Sequence, residues 1–218
     1  MYKNMSRNIV IGPPGTGKTT FLKNKVDEII KQGKATSKEI GYFSFTVKAA
    51  EEIRNRVTNK AWSEAELKKM FPYFCTLHSL AYKCLRLEAH EIMDELDYME
   101  LSDMTGRKFV NKMKKGNGID ISMPTAQSQY QDTINLAYAK YPHDEDRLQK
   151  IFREVKLPDY GARSTIMQMD KDLTNFKRAR HKLEYVDYFN SFLEMKNPPY
   201  LKYLFIDEAQ DLSAHQWM

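Results

Sequence analysis

The run Gly12-Pro13-Pro14-Gly15-Thr16-Gly17-Lys18-Thr19 constrains this chain more than any other stretch. It sets a glycine-rich turn between an apolar β-branched run, Ile9-Val10-Ile11, and a helical pattern that opens at Lys18. Glycines at this spacing let successive backbone N–H groups converge on an anion. Lys18 supplies an ammonium for the outer phosphate oxygens of a nucleotide, and the Thr19 hydroxyl is a ligand type that Mg²⁺ accepts. A helix starting here adds its positive N-terminal end to the same anion. The flanks fit: Ile9 to Ile11 reads as a strand, and Phe21, Leu22, Val26, Ile29 and Ile30 recur on one helical face that Gly33 closes. The expectation is a strand, phosphate loop and helix that bind a nucleotide.

Strand and helix patterns alternate after this helix. Ile40 to Thr46 is an aromatic-rich strand. The helix that follows turns Ala49, Ala50, Ile53 and Val57 inward and Lys48, Glu51, Glu52, Arg54 and Arg56 outward. Ser63 and Glu66 have capping-box spacing, Tyr73 to Thr76 reads as a third strand, and a helix containing Leu80, Cys84, Leu85 and Leu87 follows. Such alternation predicts a parallel sheet covered by helices. Between Glu88 and Leu183 only helical patterns occur: Ile92/Leu96/Met99, Ala126/Tyr130/Ile134/Ala137, Leu148/Ile151/Phe152/Val155 and Ile166/Met169/Leu173/Phe176. The predicted fold is therefore α/β, a parallel sheet over residues 1–87 and 184–218 with an all-helical insertion at 88–183.

The α/β character returns with Leu201 to Ile206, a strand that runs straight into Asp207-Glu208-Ala209-Gln210-Asp211. Acidic residues at the carboxyl end of such a strand face the crevice where open α/β sheets bind ligands. Asp207 is placed to share Mg²⁺ with Thr19. Glu208 is placed to accept a proton from water attacking a γ-phosphate.

Composition narrows the class only a little. The 218 residues are 42% hydrophobic and 29% charged, with no run of membrane-spanning length and a polar N-terminus without signal or transit character, so a cytoplasmic protein is expected. Cys75 and Cys84 are too few and too ill-spaced for a metal or disulfide framework. A net charge of +5 suits a polyanionic partner. Acidic side chains dominate Glu88 to Asp103, and Arg107, Lys108, Lys112, Lys114 and Lys115 follow before Gly116-Asn117-Gly118; this basic loop reads either as a solvated segment or as a phosphate contact.

Taken together these motifs resemble superfamily 1A helicases of the UvrD/Rep type, ATP-driven translocases on single-stranded DNA. Gly12 to Thr20 is similar to motif I, Phe45 to Arg54 to motif Ia, Thr76 to Ser79 to motif Ib, and Ile206 to Asp211 to motif II, with Gln216 beyond it. Glu184 to Phe189 resembles the acidic-aromatic end of the family's helical 1B insertion. The resemblance implies a RecA-like P-loop NTPase sheet carrying a 1B-type subdomain, with ATP and Mg²⁺ as cofactors. Gly12, Gly15, Thr16, Gly17, Lys18, Thr19 and Thr20 would cradle the nucleotide, and Thr19 and Asp207 would hold the metal. Lys18, Asp207, Glu208 and Gln210 would be catalytic, Gln210 sensing the γ-phosphate. Phe45, Thr46, Thr76 and His78 would line a DNA path, an aromatic ring stacking on any base and hydroxyls binding phosphate. The implied partners are single-stranded DNA, duplex junctions and a second RecA-like domain.

Departures from the family pattern are specific. Val47 stands where motif Ia usually has asparagine, and no glutamine precedes Ile9 to contact adenine. Motif III and the second RecA-like domain, with its arginines, are not within these residues, which implies an N-terminal part that hydrolyses ATP hardly at all by itself. Two other readings stay open on the residues alone. One is a small P-loop phosphotransferase, which would need an arginine-rich lid; the other is a nucleotide-dependent DNA- or protein-binding module without turnover.

Overall fold

The computed structural model describes residues 6–44, 46–57, 62–111, 126–157 and 161–217. The chain divides into two compact units, one built from residues 1–80 and 197–218, the other from 81–196. The described helices include none long and apolar enough to cross a membrane.

The first unit holds a parallel three-stranded sheet. β1 (Ile40–Phe43) lies in the middle, between β2 (Phe74–Cys75) and β3 (Tyr203–Ile206). All four residues of β1 are buried, as a central parallel strand requires. Phe43 pairs with both Cys75 and Ile206, so Ser44, Thr76 and Asp207 leave the sheet at one level. α1 (Lys18–Lys31) follows the phosphate loop, α2 (Val47–Val57) follows β1, and α4 (Leu77–Cys84) follows β2. α3 (Glu64–Met70) opens on the expected capping box: the Ser63 hydroxyl accepts from the Glu66 N–H, and the Glu66 carboxylate accepts from the Ser63 N–H. The core joins Val26 of α1, Ile40 and Tyr42 of β1, Ile53 of α2, and Phe71 and Phe74.

Three expectations in this unit fail. Ile9-Val10-Ile11 is not a strand; Ile9 and Ile11 are 85% and 91% exposed. β-branched residues favour an extended backbone, yet a strand also needs a ladder partner, and no described strand supplies one. Phe21 is exposed rather than packed, with the Lys25 ammonium over its ring. Arg54, expected outward, is buried because its guanidinium donates to the Phe74 carbonyl at the sheet edge.

The second unit is helical among its described residues, apart from one parallel bridge between Ile92 and Leu183. α5 (Glu95–Thr105), α6 (Ala126–Lys140), α7 (Arg147–Ile151), α8 (Ala162–Arg180) and α9 (Tyr185–Leu193) follow in order. α8 packs on α5 and α6, and α6 also packs on α7 and α9. The described residues of the expected faces of α6, α7 and α8 are buried apart from the partly buried Val155, with Ile134, Ile151, Ile166, Met169 and Leu173 at or below 1% exposure. α5 differs. Asp94 caps it by accepting from the Leu96 and Asp97 N–H groups, which leaves Ile92 outside the helix. The face carrying Tyr98 and Leu101 is buried, while Leu96 and Met99 face solvent.

Candidate nucleotide site

The loop before α1 has the backbone its sequence requires. Gly15 and Gly17 both adopt φ of 81°, a left-handed conformation that side chains resist. A Cβ on Gly12 would lie 2.6 Å from the Thr16 hydroxyl, so any larger residue there would force that side chain to move. Thr16 braces the turn by donating its hydroxyl to the Pro13 carbonyl at 2.8 Å. Lys18 folds back over the loop, its ammonium donating to the carbonyls of Gly12 at 2.9 Å and Pro13 at 3.1 Å. The first turn of α1 contains no acidic residue, so its N–H groups and Lys18 together form an electropositive pole. Thr20 lies exposed on that turn.

The loop meets the end of β3 through one short contact. The Thr19 hydroxyl donates to Asp207 Oδ2 at 2.9 Å, across 188 positions of sequence. Asp207 is 5% exposed and held from every side: its N–H donates to the Phe43 carbonyl at 2.8 Å, its Oδ1 accepts from the Glu208 N–H at 3.1 Å, and its Oδ2 also accepts from the Tyr42 hydroxyl at 2.8 Å. A hydroxyl and a carboxylate brought together in this way are hard oxygen donors of the kind Mg²⁺ takes alongside phosphates and water, so these residues fit that ion. Glu208 turns away from the strand in a left-handed conformation, φ 52°, and its carboxylate accepts from the Gln210 side-chain amide. The Glu208–Gln210 pair thus stands beside the carboxylate that Thr19 touches.

The residues expected to line a nucleic-acid path lie at the starts of α2 and α4. Thr46 caps α2, its hydroxyl accepting from the Ala49 N–H at 3.2 Å. Thr76 caps α4, its hydroxyl accepting from the Ser79 N–H at 3.1 Å. Neither helix carries an acidic residue in its first turn. His78 is largely buried, and burial, helped by nearby His215, lowers its pKa to about 3. Its ring is therefore neutral at ordinary pH and offers hydrogen bonds rather than charge. Phe45, and Lys112, Lys114 and Lys115 of the basic loop, lie outside the described residues. Arg107 pairs with Asp172 at 2.9 Å. The residue that sequence reasoning missed is Tyr42; the available signal was a hydroxyl in an otherwise apolar buried strand.

A parallel sheet with a phosphate loop on one side and a buried aspartate at the end of a strand defines a phosphate-loop nucleotide-binding protein. Residues 2–218 match the UvrD/REP helicase N-terminal domain, and the chain belongs to that family. Among curated proteins it is 23% identical over 221 residues to the ATP-dependent DNA helicase PcrA of Staphylococcus epidermidis, covering 96% of this chain and 28% of the relative. It is 26% identical over 116 residues to a probable DNA helicase II homolog of Mycoplasma capricolum, covering 52% of this chain and 15% of that protein. DNA helicase II of Haemophilus influenzae is 23% identical over 116 residues, covering 53% and 16%. The chain thus spans less than a third of the length of these relatives. Family membership sets aside the small phosphotransferase.

Proposed function

We propose that this chain is the nucleotide-binding part of an ATP-dependent translocase on single-stranded DNA, with strand separation the output of the longer protein. The observation that carries the reading is the 2.9 Å contact between Thr19 and Asp207, which joins the two halves of one site. Mg-ATP, when bound, supplies the phosphoanhydride whose hydrolysis drives the cycle. The Lys18 ammonium would leave the carbonyls of Gly12 and Pro13 for the β and γ oxygens, while the backbone N–H groups of Gly12, Gly15, Thr16, Gly17, Lys18, Thr19 and Thr20 would surround the phosphates. Thr19 and Asp207 would hold the metal, Glu208 would accept the proton of the attacking water, and Gln210 would link Glu208 to the DNA-binding side. Thr46, Thr76 and His78, with Phe45, contact the strand, since bare helix N-termini and capping hydroxyls suit a phosphate backbone.

The helical segment 88–183 is, in this reading, the family's 1B-type insertion on a RecA-like domain, and duplex junctions and a second RecA-like domain are the partners. The proposal places the protein in the cytoplasm. Transition-state stabilisation falls to an arginine of the second domain, a contribution worth on the order of 10³–10⁵ in rate in related phosphoryl-transfer systems. The isolated chain is therefore expected to bind Mg-nucleotide with almost no turnover. The test is ATPase turnover, with and without single-stranded DNA, of this chain and of a form extended through the second domain. DNA-stimulated turnover in the extended form, abolished by Lys18→Ala and Glu208→Gln, is expected. DNA binding without turnover in both forms would replace the motor with a nucleotide-dependent binding module.

A further inference from the structure

Tyr42 is fully buried in the middle strand of the sheet. Its neighbours across the ladder are Phe74 of β2 and Phe205 of β3, and the three rings form a row, with centroids 5.6 and 6.3 Å from Tyr42 and planes within 21°. Packing alone would be served by a third phenylalanine. Asp207 lies two residues beyond Phe205, on the same face of β3 by strand alternation, so a side chain leaning along β1 from the Phe205 level reaches it. The Tyr42 hydroxyl does so, donating to Asp207 Oδ2 at 2.8 Å, the oxygen that also accepts from Thr19.

We infer that Tyr42 is a positioning residue for the Mg²⁺-nucleotide site, fixing the Asp207 carboxylate in the orientation that receives the metal. The inference rests on the nucleotide-site reading above. Thr19 is shared: its hydroxyl faces the carboxylate here and is also a metal ligand in that reading. Tyr42 is not a metal ligand in that reading, and its ring is clamped between two others. With the Glu208 N–H on Oδ1, it leaves Asp207 one orientation whether or not Thr19 turns away. Hydrogen-bond partners that orient a metal-binding carboxylate typically contribute roughly 10- to 100-fold in metal affinity.

The experiment titrates MgCl₂ into the 218-residue chain with a fluorescent ADP derivative, alongside the same nucleotide in EDTA. Tyr42→Phe keeps the stacked ring and removes only the hydroxyl. It is expected to bind nucleotide in EDTA as the unaltered chain does, and to need roughly 10- to 100-fold more Mg²⁺ for the metal-dependent gain. In an Asp207→Asn background the same substitution is expected to change nothing. An unchanged Mg²⁺ midpoint, or an equal effect with and without Asp207, would overturn the role of Tyr42 while leaving the site intact. Nucleotide binding indifferent to Mg²⁺ in the unaltered chain would overturn the site reading and this inference with it. Should Tyr42→Phe fold poorly, 3-fluorotyrosine at position 42 of the native chain provides the readout. Its ¹⁹F resonance is expected to move when MgCl₂ joins the ADP complex, and a fixed resonance would refute the coupling.

Discussion

Each unit buries a carboxylate and points a tyrosine hydroxyl at it, but the two clusters are finished differently. In the second unit Lys177 lies between Glu184, at 3.2 Å, and Asp187, at 2.8 Å, while Tyr98 donates to Glu184 at 2.8 Å and the Glu184 N–H donates to Asp187. Burial works against the Lys177 charge, yet the two carboxylates hold its pKa above the usual lysine value; burial likewise pushes Glu184 up against the pull of Lys177. The one cation there, Lys177, is shared by both carboxylates within the protein. In the first unit Asp207 meets only hydroxyl and N–H donors, and Lys18 rests on carbonyls. Among the described residues neither forms an ion pair. A closed cluster holds helices together; an open one, with cation and anion kept separate, suits the charged ligand proposed above.

Removing the lysine from each cluster should separate the two roles most widely. Lys177→Met strands the buried Glu184 carboxylate and the partly exposed Asp187 and is expected to cost about 3–5 kcal/mol, read as faster amide exchange in α8 and α9, with nucleotide affinity unchanged. Lys18→Met is expected to leave exchange unaltered and to weaken nucleotide binding roughly 10- to 100-fold. Comparable destabilisation by both would erase the distinction. Acid should also divide the units. His78 has a folded pKa near 3 against an ordinary value of 6.5, so its contribution to stability is complete above pH 6.5 and is lost as pH falls toward 3. The slope approaches about 1.4 kcal/mol per pH unit for one proton. His215, also lowered by burial, adds in the same direction. Glu184, raised by burial, has the opposite sign: its contribution is present in acid and is lost as pH rises through its folded pKa. Between pH 6.5 and 5, amide protection in the first unit, corrected for the intrinsic exchange rate at each pH, should therefore fall while that of the second unit holds. His78→Asn should flatten that response.

Much of the proposed nucleotide site can be read from residue types, and the rest depends on register. Gly15 and Gly17 announce left-handed backbone and Lys18-Thr19 announces phosphate and metal, because in a phosphate loop composition and chemistry are nearly the same thing. The apolar period of α8 stands out over nineteen residues for a similar reason. The contact from Tyr42 to Asp207 could not be read, since it exists only once β1 and β3 align Tyr42 with Phe205. Arg54 misleads because a charged residue is assigned to solvent until a carbonyl at the sheet edge is seen to receive it. Ile9 to Ile11 misleads in the reverse direction: strand propensity is a property of three residues, but strand formation is a property of pairs. In α5 a capping aspartate outweighed the apolar spacing of Ile92, Leu96 and Met99.

The same comparison extends to backbone strain, where the expected effects are smallest. His181 of the second unit and Glu208 of the first both hold left-handed conformations, φ 53° and 52°. His181 lies at the end of α8, where its N–H donates to the Lys177 carbonyl and a left-handed residue is the ordinary way to stop a helix. Glu208 has no helix to end; it follows a strand and precedes the single turn Ala209–Asp211. Left-handed backbone costs a non-glycine residue about 1–2 kcal/mol, and glycine returns roughly 0.5–1 kcal/mol of that through its own chain entropy. Either substitution to glycine should therefore raise stability by about 0.5–1 kcal/mol, visible as a higher urea midpoint at unchanged slope. His181→Gly should do so with no functional effect, whereas Glu208→Gly should keep Mg-nucleotide binding and lose the DNA-stimulated turnover of the extended form. If Glu208→Gly instead lowers stability, the conformation at 208 is sustained by contacts of its side chain. The first unit would then store no strain at its site, and the contrast would rest on charge alone.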